Sequence, residues 1–533
     1  MITMTNFGEN GRLGNQLFQF ASLMGLSHTH GQPLKLKDWK YKQYFNFLFP
    51  ATTEEEIEEL SSVRLIQEPT FAHVPDWPQI RENENVDISG YLQSEKYWLP
   101  CKEKVKHILS FQEDFKKRVR NTDQFKDAFS KPTIAISIRR GDYVGNKCYL
   151  QLPITYFILA LHEHFPDWRN HNIILFSDDI PYCRRHFGCL TNAYFSENNS
   201  DIEDLCIMSQ CDHFIISNST FSWWGAYLGE KTGSKIIRPN GLFDNRMAKR
   251  NDSKDFYPER FTIFDHISET TEAKKIDLKD CCFIIPVAYD HEDRKENLDL
   301  LLEITKRMFD TNVYVYEQGN ECHFSYVGER VTKYLFSSYK NIFHRTKMLN
   351  DMVKATPESV KYIFNWDADV LIAPFQILET ANKLRSGDVD MVYPYEWAFA
   401  RIPRATWFAK IRDHNDIGMV GDTIFSGMHE SDAVSLGGAV AFNKQSYING
   451  GLENENFISY GAEDRERYVR FKKLGFKIDR TLGPLYHINH FVGINSCADN
   501  PYMAHNDAEE AKIKSMSVQE LWDYIKTWPW LKE

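Results

Sequence analysis

The sequence contains no Cys-x-x-Cys pair, although it has 10 cysteines among 533 residues. They fall at irregular spacings, and Cys281 and Cys282 are adjacent. That pattern argues against a structural zinc site and for reduced, intracellular thiols. An excess of basic charge is also missing: 63 Lys and Arg stand against 74 Asp and Glu, a net charge of −11. This excludes nucleic acid as the expected partner but not a nucleotide, which needs only a local cationic patch. No stretch approaches the ~18 apolar residues of a membrane-spanning helix. The N-terminal "MITMTNFGENGRLGNQ" lacks a basic region followed by an apolar run, so no signal peptide is expected either. The expected compartment is the cytoplasm. Hydrophobic residues are plentiful at 42%, enough for a large core. The length suggests roughly two to four domains.

Short apolar runs alternate with helical patterns. "TIAISI" from Thr133, "NIILFS" from Asn172, "HFIIS" from His213 and "KIIRP" from Lys235 read as buried strands of parallel βα units. Residues 1–266 form the first expected domain. The polar stretch "HISETTEAKKIDLKD" has no apolar periodicity, and 267–280 reads as a linker. A second α/β series, 281–533, starts at "CCFIIPVAY" and continues through "NVYVYEQ", "YIFNWDADV", "DMVYPY" and "GGAVAF".

Three motifs in the first series point to an anion. "GRLGNQLFQFASLMGLSHTHG" follows a short strand. Gly11 and Gly14 allow a tight turn, and Leu17, Phe20, Ala21 and Met24 recur at helical spacing. Helix N–H groups and Arg12 would face a phosphate there, unless the unit is an ordinary βα turn. "AISIRRGDYV" puts Arg139 and Arg140 at a strand's C-terminal end, where open α/β sheets bind ligands. Guanidinium forks grip phosphate oxygens, or pair structurally with an acid. Asp142 either orients an arginine or works as a base. In "HFIISNSTFSWWGAYLG", Ser219 or Thr220 caps a helix whose first turn would offer donors to a phosphate. Trp223 and Trp224 read as that helix's buried face.

In order and spacing, "GRLGNQLFQFA", "GYLQSEKYW", "IRRGDY" and "NSTFSWWGAYLG" resemble the α-1,2-fucosyltransferases over roughly residues 1–265. The resemblance implies a GT-B-like pair of Rossmann-type lobes, GDP-fucose as donor, inversion, and no required metal. It implies that Arg139 neutralises the departing diphosphate. Arg12 and Asn15 would lie across the cleft near the donor, and Ser219 and Thr220 would face the phosphates. Many members carry His where this chain has Ser137.

The second series carries acids. Asp367 and Asp369 leave an apolar strand, and two carboxylates so spaced can hold a divalent cation on a sugar-nucleotide diphosphate. Gly437 and Gly438 would permit a ligand's close approach. Glu463 and Asp464 open an amphipathic helix, where a carboxylate would serve as a general base or simply complement the dipole. His487 and His490 in "YHINH" are candidate third metal ligands. "FHRTKMLN", "FNWDADVLIAPF", "GGAVAF" and "YGAEDRERYVR" resemble the β-1,4-galactosyltransferase-like GT-A family over roughly residues 281–495. That resemblance implies Mn²⁺, a UDP-sugar and inversion. Phe343 and Arg345 would contact UDP, Asp369 and His487 would bind metal, Tyr460 would stack on a sugar, and Asp464 would be the base. Family members often have Trp in place of Tyr460 and a longer acidic run, so galactose and N-acetylgalactosamine remain equal as donor sugars.

Together these readings describe a bifunctional inverting glycosyltransferase using GDP-fucose and UDP-galactose, with a glycan acceptor. A lipid-linked acceptor would add peripheral membrane contact. The alternative is a single α-1,2-fucosyltransferase with a C-terminal glycan-binding module.

Overall fold

Runs of buried β-branched residues become the strands of the first sheet. In the computed structural model, the described residues are all but 48–51, 54–62, 78–79, 82–83, 266–274, 339–342, 397–398, 421–434, 494–496, 498–499 and 533. They form two compact units, Met1–Cys183 with Asn192–Lys274, and Arg184–Thr191 with Lys275–Glu533.

The first unit holds a six-stranded parallel sheet. Its spatial order is Ala193–Phe195, Asn172–Ser177, Thr133–Ile138, His213–Ile215, Ile236–Pro239, Thr262–Phe264. Counted along the chain this is the doubly wound order 3-2-1-4-5-6. The order reverses between Thr133–Ile138 and His213–Ile215, so a crevice opens beyond their C-terminal ends. Arg139 leaves one of those ends and Ser217–Thr220 the other. A second parallel sheet orders Ile2–Thr3, Asn85–Ser89 and Val63–Gln67. The helix Leu13–His30 follows its first strand and closes at Gly31 in the left-handed region.

Helix Leu13–His30 packs against helix Thr220–Gly229 at their N-termini. A Cβ on Gly14 would lie 2.7 Å from the Phe221 nitrogen and the Thr220 Oγ1, so only glycine permits this approach. Behind it sits an aromatic core. Phe18 lies 4.6 Å from Trp223 and 5.3 Å from Trp224, and Trp98 stacks on Trp224 at 5.6 Å. Two indoles also find acceptors: Trp98 Nε1 donates to Tyr227 Oη, and Trp223 Nε1 to the Phe256 carbonyl. Both tryptophans of the pair are fully buried. They are core, and the residues before them are left to face the crevice.

The second unit has a seven-stranded mixed sheet, ordered Lys333–Ser338, Phe309–Gly319, Ile276–Val287, Tyr362–Trp366, Ala439–Asn443, Met391–Tyr393, Ile478–Arg480. Ala439–Asn443 runs antiparallel to both neighbours. A smaller sheet pairs Val370–Leu371 and Phe399–Ile402 with Leu485–Ile488. Its register sets Val370 opposite His487, and the Ile488 amide donates to the Asp369 carbonyl at 2.8 Å. The first long strand begins at Ile276, inside the stretch read as linker. Ile276 and Leu278 are buried there between polar neighbours, a period-2 pattern too short to stand out. Residues 267–274 of that stretch lie outside the described residues.

Trp223→Ala should destabilise the first unit by about 3–5 kcal/mol, the usual cost of emptying a buried indole site. Urea unfolding checks this; a loss under about 1 kcal/mol would contradict a core role.

Candidate active sites

Two helix N-termini and a strand-end arginine meet in one cavity of about 650 Å³ in the first unit. Gly11–Asn15 line it from the first helix, Ser219 and Thr220 from the second, and Ser137, Arg139 and Asp142 from the central strand's exit. Arg139 is held by two acids. Its Nη1 lies 2.8 Å from Asp178 Oδ2, and its Nη2 donates to Asp142. Asp142 also lies 3.8 Å from the exposed Arg12 guanidinium. Of the two roles open to Asp142, the contacts match the orienting one. Asn15 Oδ1 accepts from Gln93 Nε2 at 2.9 Å, fixing one side of the opening. Ser219 caps its helix by accepting from the Phe221 amide, and Thr220 begins that helix at the cavity wall. The arrangement concentrates N–H donors and cationic charge where a diphosphate would sit.

One expectation fails. Arg140 does not line this cavity. Its Nε bonds Asp179 at 2.9 Å and its guanidinium lies 3.6 Å from the Tyr182 ring centroid. Successive residues leaving a strand point to opposite faces, so only one of the paired arginines can turn inward. Ser137 joins a buried hydroxyl chain: its Oγ lies 2.8 Å from Ser222 Oγ, which lies 2.8 Å from Ser217 Oγ. That chain ties the central strand to the capped helix. Asp178, Asp201, Asp204 and Gln93 also line the cavity and were not singled out from sequence. Asp178 sits at the exit of strand Asn172–Ser177, the same kind of position that identified Arg139, and that rule would have found it.

In the second unit, Asp369 stands at the centre of a cluster. His490 Nε2 lies 2.9 Å from its Oδ2, His487 Nε2 lies 3.6 Å from its Oδ1, and Arg294 Nη1 donates to Oδ2 at 2.6 Å. Burial raises the Asp369 carboxyl. The His490 hydrogen bond and the charges of His487 and Arg294 outweigh that and hold it well below the usual carboxylate range. Asp369, His487 and His490 bring three potential ligand atoms within 4.8 Å of one another. One carboxylate and two imidazoles suit a divalent transition ion. The buried His487 Nδ1 has no hydrogen-bond partner among the described residues. These residues fit a metal. Both histidines join the cluster, with His490 the nearer to Asp369. Asp367 belongs elsewhere, since its carboxylate accepts from Arg345 Nη2 at 2.7 Å.

Arg345 opens the helix Arg345–Ala355 and also reaches Asn365 Oδ1 and, at 4.0 Å, Glu463. The Phe343 carbonyl accepts from the Ser459 amide at 2.9 Å, which sets Phe343 beside the half-exposed Tyr460. Asp464 lies in the first turn of helix Glu463–Lys473 and accepts from the buried Arg467. Arg467 in turn grips Glu453 at 3.0 and 3.1 Å. Such a buried network is costly to break and fixes the Asp464 carboxylate in place. The glycine pair packs closely on this region. A Cβ on Gly437 would meet Asp464 Oδ2 at 2.8 Å, and one on Gly438, at φ +86°, would meet Leu485 and Val370. Both make room for protein side chains, the Asp464 carboxylate among them.

Burial, with Asp464 alongside, pushes the Glu463 carboxyl up to about 8. Its unfolded value is about 4.5, so the stability it contributes is present below that value and is lost as pH rises toward 8. Glu463→Gln should match the wild type near pH 4 and exceed it by on the order of 2 kcal/mol above pH 8. Urea midpoints across this range check it; an unchanged pH dependence would contradict the assignment.

Residues 1–259 match the family described as glycosyl transferase family 11, and residues 427–492 match that described as the N-terminal domain of galactosyltransferase. An Escherichia coli alpha-1,2-colitosyltransferase is 28% identical over 44% of this chain and 90% of its own length. The Escherichia coli O-antigen biosynthesis glycosyltransferase WbnK is 26% identical over 46% of this chain and 95% of its own length. A crystal structure of a Drosophila β1,4-galactosyltransferase 7 mutant with manganese, UDP-Gal and xylobiose is 14% identical and covers 39% of this chain and 71% of that one. Its TM-score of 0.26 is too low to bear on the sites. Residues 1–259 are thus similar to the α-1,2-fucosyltransferase family and residues 427–492 to a galactosyltransferase domain, which together support a two-domain glycosyltransferase.

Proposed function

We propose that the two domains, divided near residues 267–280, catalyse successive inverting transfers. The C-terminal domain adds β-linked galactose, or N-acetylgalactosamine, from a UDP-sugar. The N-terminal domain, a GT-B-like pair of lobes, then places fucose from GDP-fucose on the 2-hydroxyl of that galactose. The observation that carries the first site is Arg139, held between Asp178 and Asp142 beside two helix N-termini. In the reaction the acceptor oxygen bonds to the fucose anomeric carbon as the bond to GDP breaks, and the hydroxyl proton leaves to solvent. Arg139, Arg12 and the helix-terminal donors at Ser219 and Thr220 take up the charge left on the diphosphate. Asn15 and Gln93 support the opposite wall.

In the C-terminal domain, Asp369, His487 and His490 would hold Mn²⁺. The ion would supply countercharge to the UDP leaving group. Asp464, clamped by Arg467, accepts the acceptor hydroxyl's proton. Arg345, with Asp367 fixing its guanidinium, faces the nucleotide with Phe343, and Tyr460 offers a ring to a sugar. Glu463 stays protonated at neutral pH beside Asp464. Carrying both transfers on one chain raises the local concentration of the intermediate acceptor. A cytoplasmic location and a lipid-linked glycan acceptor complete the proposal.

Arg139→Ala should lower fucose transfer at least about 100-fold and leave hexose transfer intact, as expected for losing a charge-stabilising donor. Asp369→Ala should do the reverse. Initial rates with each sugar nucleotide measure both. A single substitution that removed both transfers would contradict the division of labour. Retention of both would contradict the two sites.

A further inference from the structure

The N-terminal cavity has two chemically unlike ends, on opposite sides of the strand Thr133–Ile138. On the side of strands Asn172–Ser177 and Ala193–Phe195 it is lined by Asp201 and Asp204, in the first turn of helix Asp201–Met208, and by Asn199. Tyr41 donates to Asp201 at 2.6 Å and Ser196 to Asp204 at 2.5 Å, and burial pushes the Asp204 carboxyl up to about 7. This acceptor-rich end suits the N–H edge of a purine base.

The other end is aromatic. It begins where the Arg139 guanidinium lies 5.5 Å from the Tyr143 ring. Tyr143 stacks on Tyr149 at 4.2 Å with 9° between planes, Tyr149 on Phe243 at 6.0 Å, and Phe243 meets Phe71 edge-on at 5.2 Å. All four rings line the cavity and are partly exposed, and Tyr91 beside them is 40% exposed. Several large aromatic side chains left partly exposed around one concave surface mark a binding site rather than a core. The platform is also braced. Tyr149 bridges Phe243 through the backbone, and the buried Asn218 amide donates to the carbonyls of Leu150 at 3.0 Å and Leu242 at 2.8 Å. Asn218 therefore links the strand end before Ser219 and Thr220 to the aromatic end.

With a diphosphate at Arg139, a nucleoside extending toward Asp201 and Asp204 leaves the transferred sugar and whatever attacks it at the aromatic end. We infer that the ring ladder Tyr143–Tyr149–Phe243–Phe71 is the acceptor platform, on which a β-galactoside rests the face of its ring that carries only C–H bonds. Tyr149 and Phe243 are the central contacts. An aromatic surface of this kind reads ring shape more than hydroxyl pattern, so it tolerates different sugars beyond the galactose. The inference rests on the fucosyl-transfer reading of this cavity.

The test uses the full chain. GDP dissociation constants come from calorimetry. Acceptor KM comes from fucose transfer out of GDP-fucose to methyl β-galactoside and to lactose. Tyr149→Ala and Phe243→Ala should each raise acceptor KM about five- to tenfold, the scale of one lost ring contact. The GDP dissociation constant should stay within twofold, which also reports that the fold is intact. Tyr149→Phe should keep the wild-type acceptor KM, because the ring and not the hydroxyl is used. An unchanged acceptor KM in both alanine variants overturns the platform. A parallel weakening of GDP overturns it in favour of a base-binding wall. Wild-type protein that binds GDP but moves no fucose to any galactoside overturns the underlying reading instead.

Discussion

A sugar leaving a nucleoside diphosphate abandons negative charge on oxygen, and a glycosyltransferase must supply countercharge at that spot. The two proposed sites of this chain would meet that constraint in opposite ways. The first brings a fixed guanidinium and two helix N-termini to a strand-order reversal. The second gathers a buried carboxylate and two imidazoles that can hold a divalent ion. Much of the surrounding structure keeps those groups in place. Arg139 is useful only if Asp178 and Asp142 hold it without burying it. Asp369 is useful only if the short strand Val370–Leu371 pairs in register with Leu485–Ile488, because that register delivers the histidines.

The scaffolding is correspondingly specific. In the first domain, the close pass of Gly14 against Phe221 and Thr220 aligns two helix N-termini on one cavity, and the Phe18, Trp98, Trp223 and Trp224 cluster locks them there. In the second, Asp464 is fixed by a fully buried arginine that Glu453 neutralises from the other side. Removing one partner of such a network leaves an uncompensated charge in the interior. Packing and chemistry are thus carried by neighbouring residues of the same motif: "STFSWW" pairs a hydroxyl cap with its buried aromatic support, and "AEDRER" pairs an acid with the arginine that aims it.

Much of this was legible in the sequence. Apolar runs announced most strands, and polar residues placed just after them marked Arg139, Ser219, Thr220 and Asp369 as candidates, because open α/β sheets present ligand groups at strand ends. The aromatic character of Trp223 and Trp224 fitted a buried helix face. What escaped depends on pairing between distant segments. Nothing in "IRRGDY" alone tells which arginine turns inward; that is settled by Asp178 and Asp179, some forty residues on. Nothing local separates Asp367 from Asp369 until Arg345 claims the first. Nothing local shows that the glycines at 437 and 438 also make room for Asp464, Leu485 and Val370. The strand from Ile276 escaped because its first residues alternate over too short a span.

The central claim is that one chain carries two transfer sites that differ in how they neutralise the leaving group. The most direct measurement offers purified protein GDP-fucose, UDP-galactose and UDP-N-acetylgalactosamine separately, each with Mn²⁺ and with a chelator, against β-galactoside and N-acetylhexosamine acceptors. The account predicts fucose transfer that survives the chelator and hexose transfer that requires Mn²⁺. Fucose transfer abolished by the chelator, or hexose transfer indifferent to it, would contradict the account.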